Sequence, residues 1–191
     1  MGEPFLVVFA GVPGVGKSTL ARAVARELPA VYLDKDTIKD AALALGRSMK
    51  IDNIGQYAGA LSYTLLIPLA RDNLTLGNHV VIDSPAGYRS FQDAVEELVR
   101  GARVDFKLIE CITTDEALLR DRIERRAPDM PEHRVRDWDQ YQQARERMER
   151  LSGPRLVVDT AETVQINLKK ILNALGREES PSPEADPAEE T

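Results

Sequence analysis

Five short apolar runs punctuate the chain: Phe5–Ala10, Val31–Leu33, His79–Asp83, Asp105–Ile112 and Arg155–Val158. Between them lie stretches whose apolar positions recur every three or four residues. Short apolar runs alternating with helical periodicity predict βαβ crossovers, and so a parallel sheet covered by helices on both faces. The helical stripes are Leu118, Leu119 and Ile123 over about Asp115–Arg126, then Trp138, Tyr141, Ala144, Met148 and Leu151, then Val164, Leu168, Ile171, Leu172 and Leu175, with Thr160 as N-cap of the last. All three read as core. A long helical segment from Gly55 to Leu76 contains Pro68, which should kink it or end its first half. Two segments resist regular assignment. Leu45–Asn53 reads as a polar, glycine-containing loop, and Ala127–Arg136, with Pro128 and Pro131, has the composition of a mobile lid.

The 191 residues suit one domain with a full core, residues 1–176, followed by a tail over 177–191. That tail carries six acids (Glu178, Glu179, Glu184, Asp186, Glu189, Glu190) against Arg177, a balance of −5 out of the chain's −6. It is rich in proline and serine with nothing apolar to bury, so it is expected to be disordered. Arg120–Arg150 holds nine arginines, but eight acids are interleaved with them, which argues against a nucleic-acid surface. The one cysteine, Cys111, lies in an apolar run and reads as packing. No stretch approaches the roughly 20 apolar residues of a membrane span, and the first apolar run lacks a basic leader, so a cytoplasmic location is expected.

Chemistry enters at residues 11–19, Gly11-Val12-Pro13-Gly14-Val15-Gly16-Lys17-Ser18-Thr19, a complete G-x-x-x-x-G-K-[ST] phosphate-binding loop between the first strand and the helix Thr19–Leu28. The glycines let successive N–H groups turn inward around an anion, and the helix N-terminus adds its dipole. Lys17 is then placed for the β- and γ-phosphates and the Ser18 hydroxyl for Mg²⁺. The motif in this context implies binding of a nucleoside triphosphate, ATP with Mg²⁺.

Three further features fit that ligand. Val80-Val81-Ile82-Asp83 is an apolar strand ending in an acid, which would place Asp83 beside the metal. Asp34 and Asp36 follow the second strand, at the edge that faces the ligand crevice of a doubly wound sheet. Two readings of Asp36 stay open and are compatible: general base for an acceptor hydroxyl, or N-cap of a helix starting at Thr37. Arg120, Arg122, Arg125 and Arg126 lead into the lid segment, with His133, Arg134 and Arg136 beyond it. Arg122 and Arg126 share a helix face and could neutralise charge on a transferring phosphate, with Arg122 the first candidate. Others of the group should be surface arginines paired with acids such as Asp121.

Taken together, the loop at 11–19, the segment Leu33-Asp34-Lys35-Asp36-Thr37-Ile38-Lys39, Val81-Ile82-Asp83, the arginine-rich Leu119–Arg126 and Val157-Val158-Asp159-Thr160 resemble the small P-loop kinases. The pattern is most similar to the zeta-toxin-like and chloramphenicol-phosphotransferase-like enzymes, with gluconate and shikimate kinases further off. The resemblance implies a P-loop NTPase three-layer α/β fold with a five-stranded parallel sheet in the order 2-3-1-4-5 and an arginine-rich lid. It also implies Asp36 as the catalytic base and transfer of the γ-phosphate to a hydroxyl of a small molecule such as an antibiotic, sugar or nucleotide sugar. A nucleoside monophosphate kinase and a non-catalytic nucleotide-binding module are the alternatives. A regulatory GTPase is disfavoured, since no Asn-Lys-x-Asp segment occurs.

Overall fold

A computed structural model of the chain describes residues 3–126, 128, 130–131 and 134–177. Parts of the expected lid (127, 129, 132 and 133, and so His133) and residues 178–191 of the expected tail lie outside the described residues. The order of elements is β1 (Phe5–Ala10), α1 (Lys17–Glu27), β2 (Val31–Asp34), α2 (Lys35–Met49), α3 (Ile54–Thr75), β3 (Val80–Asp83), α4 (Arg89–Gly101), β4 (Asp105–Ile112), α5 (Glu116–Arg126), α6 (Trp138–Glu146), β5 (Leu156–Asp159) and α7 (Val164–Ala174). All strand pairs are parallel and the sheet runs β2-β3-β1-β4-β5, the order implied by the resemblance.

β1 is the centre of the sheet and is buried along its whole length. Because side chains alternate along a strand, Phe5, Val7 and Phe9 pack with Leu20, Val24 and Ile171 on the α1–α7 side. Leu6 and Val8 pack with Leu66, Leu74, Phe91 and Val95 under α3 and α4. A strand covered on both faces reads as a continuous apolar run, which is why β1 has the bounds predicted for it, and β4, only partly buried, keeps its predicted bounds too. The other three shift by a residue: β2 includes Asp34, β3 begins at Val80, and β5 is Leu156–Asp159. α4 carries the stripe Phe91, Val95 and Leu98, which the pattern reading above leaves unassigned.

The α2–α3 region departs most from expectation. α2 runs on to Met49, through most of the loop expected over 45–53, and only Lys50–Asn53 connect the helices. Gly46 is helical here. A Cβ on it would lie 2.2 Å from Ile54 Cγ2, so its small size allows α3 to start close against α2. α3 continues unbroken through Pro68, which sits on the exposed side, where a carbonyl deprived of its N–H partner is not stranded in the core. α6 ends at Glu146, so Met148 and Leu151 lie beyond it, and Met148 packs on Gly87. Thr163, not Thr160, caps α7, accepting from Ile166 N at 3.3 Å. No helix among the described residues is long and apolar enough to cross a membrane.

Candidate active site

β1 ends at the phosphate loop, and the loop's geometry depends on its glycines. Gly14 and Gly16 have φ of 86° and 97°, and a Cβ on Gly14 would lie 2.8 Å from Ile123 Cγ1 of α5. Gly16 precedes α1 without a side-chain cap, so the first N–H groups of that helix are left to a ligand at its positive end. Of the predicted loop residues, Pro13, Gly14 and Gly16 to Thr19 line a cavity of about 1020 Å³. Gly11 and Val12 border a separate cavity, and Val15 is part of the core. Lys17 is only 8% exposed, with Nζ donating to the Val12 carbonyl at 3.0 Å. Burial lowers its pKa, and Asp83 and Asp36 nearby oppose that.

Asp83 closes β3 at the same cavity, 3% exposed. The Tyr32 hydroxyl, one strand over on β2, donates to its Oδ2 at 2.7 Å. Burial and the carboxylate together push the Tyr32 phenol upward, so it stays a donor at neutral pH. The Ser18 hydroxyl and the Asp83 carboxylate are hard oxygen donors lining one cavity, a set suited to Mg²⁺. No group of three or more His, Cys, Asp or Glu among the described residues forms a metal cage. Mg²⁺ is ordinarily held through few protein oxygens plus phosphates and water, so the residues fit the ion. Tyr32→Phe should free the carboxylate to rotate and raise the Mg²⁺ concentration needed for nucleotide binding. Titration calorimetry of nucleotide at stepped Mg²⁺ reads this, and an unchanged Mg²⁺ dependence would remove Tyr32 from the site.

Asp36 is released from the capping role by its neighbour. Asp34 is the N-cap of α2, accepting from Asp36 N and Thr37 Oγ1, both at 2.9 Å. Asp36 instead points to two cations, Lys35 Nζ at 3.2 Å and Arg134 Nη1 at 2.6 Å, and Arg134 Nη2 reaches Asp40 at 2.6 Å. Burial favours the neutral carboxyl, but Lys35, Arg134 and Lys17 outweigh it and hold Asp36 below the ordinary carboxylate value. Arg134 was legible only as one of several arginines; nothing in the spacing marks it as the partner of Asp36.

The four arginines of α5 separate clearly. Arg125 pairs with Asp121 at 2.7 Å and Arg120 stacks over Trp138, its guanidinium carbon 4.5 Å from the ring centroid. Both are structural or surface roles. Arg122 and Arg126 both line the cavity. Arg122 is held, donating to Thr160 Oγ1 at 3.0 Å and to the Thr160 carbonyl at 2.8 Å, while Thr160 Oγ1 donates to the Val15 carbonyl at 2.5 Å. This knot ties α5, the turn after β5 and the back of the phosphate loop together. Among the described residues Arg126 has no such tether: its Nε is buried without a partner there, and burial and the nearby Arg134 charge lower its pKa. Arg122→Lys cannot reproduce the two-pronged grip on Thr160. It should lower the melting temperature and raise KM for ATP together, whereas Arg125→Lys should change neither. Equal, mild effects at both positions would mean that the knot does not position the loop.

The pairs the sequence does not reveal, Tyr32–Asp83, Asp36–Arg134 and Arg122–Thr160, are separated by 51, 98 and 38 residues. Parallel crossovers bring them together, and no local pattern records such contacts. No curated protein matches the chain in sequence. Among solved structures, a candidate kinase from Chloroflexus aurantiacus matches with TM-score 0.71 and 22% identity, covering 92% of this chain and 98% of that one. A gluconokinase from Sinorhizobium meliloti matches with TM-score 0.61 and 19% identity over 92% and 94% of the two chains. The APS kinase CysC of Mycobacterium tuberculosis, solved with AMPPNP and APS, matches with TM-score 0.63 and 19% identity over 92% and 99%. At these identities the likeness is one of fold, that of the P-loop kinases. A family model described as an AAA domain matches residues 6–151, most of the chain, and the chain belongs to that P-loop family.

Proposed function

We propose that this protein is an ATP- and Mg²⁺-dependent phosphotransferase acting on a hydroxyl of a small molecule. The observation that carries the reading is one shared cavity, in which the carboxylate of Asp36 faces the same space as Lys17, Asp83 and Arg126. Its volume of about 1020 Å³ lies at the upper end of ligand sites, room for a nucleotide and a small acceptor. A module that only bound nucleotide would need the loop and Asp83, but no carboxylate held ionised beside them by Lys35 and Arg134.

The acceptor oxygen attacks the γ-phosphorus, the bond to the β-bridging oxygen breaks, ADP leaves, and the hydroxyl proton passes to Asp36. Mg²⁺ bound at Ser18 and Asp83 would neutralise phosphate charge. The loop N–H groups and Lys17 hold the β- and γ-oxygens, and Arg126, whose Nε lacks a partner among the described residues, takes charge that develops on the transferring group. Arg126 therefore replaces Arg122 as the first transition-state candidate, and Arg122 supports it by fixing α5. A carboxyl held below its ordinary value is a weak base, so Asp36 orients the hydroxyl first and takes the proton late, as suits a loose transition state. Arg134 must leave Asp36 for the acceptor to bind there.

The test is incubation of a pooled metabolite extract with protein and ATP, followed by mass spectrometry for products heavier by one phosphoryl group. Acceptor-dependent release of ADP is expected. ADP release indifferent to every acceptor, with no phosphorylated product, would overturn the reading.

A further inference from the structure

We infer that the outer face of α3 is the interface of a two-fold homodimer. Helix α3 is apolar on both sides. One side, with Ala58, Leu66, Ala70 and Leu74, is buried against the rest of the chain. The other presents Tyr57 (63% exposed), Leu61 (39%), Leu65 (39%) and Leu69 (41%) to solvent. From Asn53 to Ala70 there is no charged residue, although most solvent faces of helices are charged. At 100° per residue Tyr57, Leu61, Leu65 and Pro68 fall within one narrow stripe, and Asp72 falls on the same line.

The occupant follows from size, charge and symmetry. With Leu76, Met49 and Ile51, which are 78%, 64% and 44% exposed, the stripe offers roughly 700 Å² of apolar surface, close to the ~800 Å² that each partner of a stable complex contributes. Residues 178–191 hold no large apolar side chain and cannot cover it. The charges that bound the stripe are arranged for self-pairing: exposed Lys50 and Asp52 at one end, exposed Arg71 and Asp72 at the other. If two copies of α3 cross antiparallel about an axis at Leu61, then Leu61 meets its own copy and Tyr57 meets Leu65. The same antiparallel orientation brings the Lys50–Asn53 linker of one copy to the end of α3 that carries Arg71 and Asp72 in the other, so charges of opposite sign face one another there. A two-fold interface must be self-complementary in this way. None of these stripe residues lines the cavity that holds Lys17, Asp36 and Asp83, so the inference stands or falls independently of the proposed activity.

Sedimentation velocity over a dilution series tests it. The wild type should dimerise reversibly. Leu61→Glu and Leu65→Glu should each raise the dissociation constant more than about tenfold while leaving the far-ultraviolet circular dichroism unchanged. Asp72→Lys should weaken the dimer at low salt, and Lys50→Glu added to it should restore it. Helix axes 8–10 Å apart bring facing Cα atoms within disulfide range. Leu61→Cys should therefore oxidise to a covalent dimer, and Leu69→Cys, which lies off the axis, should not. A wild type that stays monomeric at the highest concentration, with or without binding to lipid vesicles, overturns the inference. So does a dimer that survives both glutamate substitutions.

Discussion

Asparagine at position 36 should lower the rate of phosphoryl transfer by about 10²–10⁴-fold, the usual worth of a positioned general base, with ATP affinity little changed. The amide keeps the shape and can still orient a hydroxyl, but it cannot take the proton. The fold should tolerate the change, because Asp34 and not Asp36 caps α2. What is lost is one charge of a mostly buried ion cluster with Lys35 and Arg134, whose side chains are 11% and 23% exposed, so a stability cost of about 1–3 kcal/mol is expected. The pH dependence separates this from a structural role. The Asp36 carboxyl is held below its ordinary value in the folded state. Its contribution to stability is therefore fully present above the unfolded value of about 3.9, and is lost as pH falls through the folded value. The melting-temperature deficit of Asp36→Asn should accordingly be constant near neutrality and close only in strong acid. Asp34→Ala supplies the contrast, costing about 1 kcal/mol of stability through the lost cap. Steady-state kinetics and thermal melts of both variants measure this. An Asp36→Asn protein with near-normal turnover and a large loss of stability would remove Asp36 from the chemistry.

The sheet was legible because the buried strands β1 and β3 are apolar and the half-buried ones still carry short apolar clusters between helical stretches, and the phosphate loop because its backbone requires glycines at fixed spacing. The α2–α3 hairpin was misread for a physical reason. Gly46 and Pro68 are helix breakers by local propensity, but Gly46 is where Ile54 packs, and Pro68 lies on the solvent side, where the helix runs on past it without stranding a carbonyl in the core. The two capping residues were displaced in the same way. Asp36 was a plausible cap only until Asp34 took the position, and Thr160 was drawn off into the knot with Arg122 and Val15. Both displaced side chains line the candidate site, where the demands of binding compete with local preference.

Lys17 is the second position where a large effect is expected. Lys17→Ala and Lys17→Met should each cut kcat by roughly 10²–10³, about 3–4 kcal/mol of transition-state stabilisation, as for other donors aimed at developing charge. The two variants differ in what they do to the fold. Lys17 is 8% exposed, and burial lowers its pKa despite Asp83 and Asp36 nearby. A lysine whose folded value lies below its unfolded value of about 10.4 opposes folding at neutral pH, where the unfolded chain holds it charged. The opposition fades as pH rises through the folded value. Lys17→Met keeps the aliphatic volume and removes the buried charge, so its melting temperature at neutral pH should equal or exceed that of the wild type. Lys17→Ala removes the same charge but leaves a small void, so it should melt below Lys17→Met. ATP affinity, read by titration calorimetry, should fall less than kcat in both, because the contact tightens as the γ-phosphate leaves its bridging oxygen. Inactivity in Lys17→Met accompanied by a melting temperature several degrees lower would mean that Lys17 is held as a structural counter-ion for Asp83 and Asp36. The phosphate-binding role would then have to rest on the loop N–H groups alone.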